Sequence, residues 1–178
     1  MKKTLITLSG LLVAVGAFAQ GQVNFAPRVV GVYDAPVFLN FVGGPDKVSG
    51  PAYMVQLYAG ATQASLAPVG AALPFRVGVA AGYWTAEART INTVDASGNA
   101  FFQVRAWATA AGSTYEAAWA TGAAIGSSNI LQVKPTTAPD LPATLIGLSS
   151  FVIFPVPEPT IMALGVFGGL VLLLRRRK

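Results

Sequence analysis

Between residues 22 and 154 short apolar runs alternate with clusters of turn-forming residues, with a break about every ten positions. Gly43-Gly44-Pro45-Asp46, Ser49-Gly50-Pro51, Ala67-Pro68-Val69-Gly70, Asp95-Ala96-Ser97-Gly98-Asn99 and Pro139-Asp140 supply positive φ, fixed φ or side chains that bond their own backbone. The runs between them are rich in aromatic and β-branched residues. They predict strands over 22–26, 29–33, 37–42, 53–58, 75–79, 83–91, 100–109, 130–133 and 145–154.

The clearest pattern is 100–109, where Phe102, Val104, Ala106 and Ala108 alternate with Phe101, Gln103, Arg105, Trp107 and Thr109. One face is apolar and the other mixed, as in a sheet with one side against a core. Its expected partner is 83–91, reached across the 95–99 turn, in a hairpin that leaves Arg89 and Arg105 on nearby exposed positions. Short strands with regular turns predict a mainly β fold, a small antiparallel β-sandwich. The alanine-rich segment 114–124 is one or two helical turns by composition, whereas Gly122 and Gly126 argue for a loop. A linker is expected at 134–139, followed over 141–154 by a last strand or an apolar spacer.

The two ends have a different character. Met1-Lys2-Lys3 precedes an apolar stretch ending Ala17-Phe18-Ala19, which fits a secretory signal peptide over 1–19 with cleavage after Ala19. At the other end Thr160 to Leu174 is uncharged and stops at Arg175, Arg176, Arg177 and Lys178. As a helix it would be about 22 Å long against a hydrocarbon core of about 30 Å, short for a lasting single transmembrane helix yet able to span through snorkelling and local thinning. The basic tail predicts a cytoplasmic C-terminus with the middle facing outward. Immediately upstream, Val156-Pro157-Glu158-Pro159 favours extended backbone, because each proline restricts itself and the residue before it.

Pro157-Glu158-Pro159, an apolar helix and a terminal Arg/Lys cluster, in that order and with a signal peptide upstream, resemble the PEP-CTERM sorting signal of exopolysaccharide-producing bacteria. The resemblance covers 157–178 and leaves 20–134 as the exported domain and 135–156 as linker with last strand or spacer. It implies export by the Sec machinery, transient residence in the inner membrane, and recognition of the tripeptide by an exosortase-type processing enzyme. The domain would then pass to the outer envelope or the extracellular space.

Charge and composition narrow the chemistry. Between Gln20 and Pro155 six Lys/Arg balance six Asp/Glu, so the net charge of +5 belongs to the ends, and scattered cations do not form a nucleic-acid surface. The absence of Cys and His removes disulfides, Ser–His–Asp and Cys–His nucleophiles and the usual zinc ligands. Asp34, Asp46, Glu87, Asp95, Glu116 and Asp140 show neither a catalytic carboxylate pair nor the Asp-x-Asp spacing of a calcium loop. No enzyme, cofactor or metal is expected. The expectation is an envelope or matrix protein with a structural or interaction role. The alternative is a carbohydrate-binding module contacting exopolysaccharide through exposed aromatics, with Trp107 and Tyr83 as the candidate pair among Trp84, Trp107, Trp119, Tyr83 and Tyr115, most of which should be core.

Overall fold

The computed structural model describes residues 20–95 and 98–155. The chain is mainly β, with strands β1 Gln20–Phe25, β2 Arg28–Val29, β3 Tyr33–Asp34, β4 Val37–Leu39, β5 Tyr53–Gly60, β6 Ala67–Pro74, β7 Glu87–Asp95 and β8 Ala100–Ala108. Helix α1 Tyr115–Ala120 follows, then β9 Ala124–Ser127, β10 Leu131–Val133, β11 Ala143–Thr144 and β12 Phe151–Pro155. One sheet has the order β11-β1-β7. A larger one runs β4-β12-β9-β8-β5-β6, with β10 also pairing β8, and β2 and β3 form a separate hairpin.

Alternation in β8 places Phe102, Val104 and Ala106 in the main core, as the sequence pattern requires. Opposite them, Val23 and Phe25 of β1 and Ile91 of β7 close that core from the smaller sheet. Each of these six side chains is fully buried. A buried side chain of this kind contributes about 1.5–3 kcal/mol, which lets a chain without disulfides hold together through packing.

Several expectations require correction. β7 and β8 are consecutive but do not form a hairpin: β7 pairs antiparallel with β1, and β8 pairs with β5. β7 and β8 therefore belong to different sheets. Arg89 consequently faces inward and is buried, donating from Nη2 to the Ala71 carbonyl at 2.6 Å and pairing with Glu87. Its guanidinium occupies the space above Gly70, whose φ of +65° also suits glycine. The sheets are mixed as well as antiparallel, since β1–β11 and β4–β12 run parallel.

Two strands fall where turns or loops were expected. Ala67-Pro68-Val69-Gly70 belongs to β6, which ends the sheet order, a position that tolerates Pro68 and Pro74. Segment 75–79 instead makes one isolated bridge, Phe75 to Trp84, and runs into a 3-10 turn at Gly78–Ala80. The alanine-rich stretch forms α1, with Thr114 Oγ1 accepting from the Ala117 amide at its N-terminus, and then β9. The 134–139 segment does not hang free, because Thr136 exchanges backbone hydrogen bonds with Gln22 at 2.6 and 3.2 Å. Beyond it, 141–154 contributes both β11 and an interior strand, β12.

Candidate functional site

The outward face of β8 carries a polar cleft. Near the end of β8, α1 lies across that face and seals Trp107 together with Tyr58, Tyr115, Ala118 and Ile125 into a second apolar cluster. Trp107 is 0% exposed and its indole donates to the Gly112 carbonyl at 3.3 Å. Its alternation with polar neighbours put it on the outer face correctly, but the helix converts that face into core. Trp107 therefore offers no surface for a sugar.

Two residues earlier on the same face, Arg105 leaves this cover. Its guanidinium stacks 4.2 Å from the Tyr58 ring centroid and 5.1 Å from that of Tyr115. Nε donates to Gln103 Oε1 at 2.9 Å, and Nη1 lies 3.6 Å from Glu116 Oε1. Tyr58 in turn donates its hydroxyl to both Glu116 oxygens, at 2.9 and 3.1 Å. Gln103 is anchored through its amide to the Ser128 carbonyl at 3.1 Å. Trp119, one helical turn after Tyr115 and 6.5 Å from its ring, is 59% exposed at the margin. Together Gln103, Arg105, Tyr115, Glu116, Trp119 and Ser127 line a cleft of about 410 Å³.

Burial and neighbouring charge keep the two phenols of this array protonated near neutrality. Burial raises the Tyr58 phenol above its ordinary value, and the hydrogen bond to Glu116 raises it further, while Arg105 acts in the opposite direction. Burial likewise raises Tyr115. The cleft thus presents an open indole face, a fixed guanidinium, an amide, a hydroxyl and one carboxylate already engaged by a cation and a phenol. Such groups can stack on and hydrogen-bond a polyol. Acid–base cleavage of a glycosidic bond asks for a second carboxyl group across the cleft, and this lining has one.

Tyr83 lies elsewhere, in a cavity of about 320 Å³ with Pro27, Arg28, Arg76, Val79, Ala80 and Trp84 among its walls. Burial and the neighbouring Asp34 carboxylate raise its phenol, and Lys47 Nζ sits 5.3 Å from its ring centroid. Trp84 is core: it packs 5.0 Å from Phe25 and edge-on to Phe75, with its indole donating to the Phe25 carbonyl at 3.2 Å. Tyr83 and Trp107 therefore do not share a platform. Trp119, which does stand open, was among the five candidate aromatics but not in the chosen pair, because the glycines after it left its segment between helix and loop.

The signal residues Ala17 and Ala19, the tripeptide Pro157, Glu158 and Pro159, the apolar run 160–174 and the tail Arg175, Arg176, Arg177 and Lys178 lie outside the described residues. Among the described residues no helix is long and apolar enough to cross a membrane. Comparison of the chain with protein-family models, curated proteins and solved structures gives no match in any of the three.

Proposed function

We propose that this chain is an exported protein of the cell envelope or extracellular matrix, tethered for a time by a PEP-CTERM-like C-terminal signal and acting without catalytic turnover. The observation that carries the reading is the order of signals in the sequence: a basic start and an apolar stretch ending Ala17-Phe18-Ala19, then a β-rich middle, then Pro157-Glu158-Pro159, an uncharged run and a terminal Arg/Lys cluster. The two sheets around one core act in this reading as a β-sandwich-like exported domain. The Sec machinery delivers it, residues 160–174 hold it in the bilayer, and an exosortase-type enzyme acts at Pro157-Glu158-Pro159.

Intact mass of the exported product, from hosts with and without an exosortase, tests the sorting step. Loss of the segment beyond Pro159 only when the enzyme is present is the expected result. Equal masses from the two hosts would reject it.

The carbohydrate-binding alternative is favoured by one specific observation, the exposed Trp119 beside the held Arg105 and Glu116. On this reading the cleft binds exopolysaccharide by stacking and neutral hydrogen bonds. Titrating the full chain with purified exopolysaccharide should quench tryptophan emission, and Trp119→Ala should abolish the response. A response that survives this substitution would move the binding site elsewhere.

A further inference from the structure

β12 is hydrogen-bonded to β4 in parallel register with Ile153 opposite Leu39, and to β9 with Phe154 opposite Ile125. In the parallel pair, one step past Leu39–Ile153 sets Phe154 beside Asn40, where the β4 strand enters a turn through Asn40 (φ +69°) and Gly43 (φ +82°). That turn carries Phe41 and Val42. Phe41, Val42 and Phe154 are 61%, 55% and 53% exposed, although each belongs to a residue type that cores normally absorb. Three large exposed apolar side chains thus belong to the end of the sheet where β4 and β12 finish.

The length of chain beyond that end determines what it meets. Five steps of backbone separate Pro155 from Thr160. Fully extended they reach about 17 Å. The headgroup layer on one side of a bilayer is about 5–8 Å thick, the difference between its full and hydrocarbon thicknesses divided between two faces. A spanning segment of only fifteen residues also draws its flanks inward. Crossing that layer uses up to about half of the leash, so this end of the domain stays within about 10 Å of the bilayer surface. The adjacent charges, Asp46 and Lys47, are of opposite sign, so attraction to anionic headgroups is not the main force.

We infer that, while the chain is tethered, the end of the domain bearing Phe41, Val42 and Phe154 rests in the outer interfacial layer of the bilayer, with these side chains inserted among the lipids. The inference builds on the membrane topology in the proposed function. It gives the apolar patch a lipid partner and fixes which end of the domain faces the membrane. The opposite end is marked by the 3-10 turn Gln63–Ser65 beyond β5. Met54 and Phe154 lie in one cross-strand row through Trp107 and Ile125, and Gly60 is six residues further along β5, about 20 Å away.

The chain contains no Cys, so single sites can be labelled in the full-length protein. Phe41→Cys, Val42→Cys, Phe154→Cys and, as the distal control, Gln63→Cys would each carry an environment-sensitive fluorophore. The proteins would be reconstituted in vesicles of phosphatidylethanolamine and phosphatidylglycerol, with circular dichroism confirming the fold of each variant. Labels at 41, 42 and 154 should shift to the blue and be quenched by lipid bearing a nitroxide near its headgroup, with little change on adding salt, while the label at 63 does neither. If the protein resists carbonate extraction but labels at all four sites behave alike, this inference falls and the tether stands. If carbonate extracts the protein, the tether falls and takes the inference with it. Protection of the 41 and 154 labels from aqueous iodide without quenching by lipid would put the chain's own tail or a second copy on the patch, and would also overturn it.

Discussion

Trp107 and Trp119 differ by twelve positions, one fully buried and the other exposed, and the consequences of changing them separate accordingly. Trp107→Ala empties the cluster beneath α1 and should destabilise the protein by about 3–5 kcal/mol. Trp119→Ala should stay within about 0.5 kcal/mol, since its ring is mostly in solvent. Urea denaturation of both variants gives the comparison directly. The tyrosines supply a pH prediction. Burial pushes Tyr33 up to about 12, and raises Tyr58 and Tyr115 as well, while an unfolded tyrosine titrates near 10. Because the folded values are the higher ones, the stabilisation is fully present below pH ~10 and is lost as pH climbs from there through the folded values. The denaturation midpoint should therefore fall between pH 9 and about 12, and Tyr58→Phe should reduce that fall.

At the scale of the element, α1 has six residues, too few to be stable without tertiary support. Thr114→Ala removes its N-terminal hydrogen bond and should cost about 1 kcal/mol, with a red shift in tryptophan emission as the cover over Trp107 loosens. What was legible in the sequence follows the same division between local and distant causes. The alternation of Phe102, Val104 and Ala106 is a local record of a half-buried strand, and the structure agrees with it. The partner of β7 was not legible, because turn residues encode a reversal of direction and not the sheet in which the next strand pairs. β9 was concealed by Gly126, which read as a loop residue but provides close approach to the Val152 carbonyl of β12. Of the cleft, Arg105 was named but placed in a hairpin that does not form. Its stacking on Tyr58 depends on β5 pairing with β8, a contact between distant segments on which local patterning is silent.

For the whole molecule the position of β12 is decisive. The strand lies between β4 and β9, and Phe151, Val152 and Ile153 are all buried. Burying three such side chains contributes about 1.5–3 kcal/mol each, comparable in sum with the 5–15 kcal/mol that usually separates folded from unfolded domains. A chain ending after Pro155 should unfold cooperatively, whereas one ending after Ser150 should lose its near-ultraviolet circular dichroism. Similar spectra and midpoints for the two would show that β12 is dispensable.

The smaller sheet also depends on late residues, through β11 beside β1, so both sheets are completed only by the stretch from Ala143 to Pro155. Until those residues emerge, the earlier strands keep open edges and the polypeptide stays slack. If the chain is exported as proposed, nothing stiff obstructs its passage through a pore, and closure on the far side then works as a ratchet against slipping back.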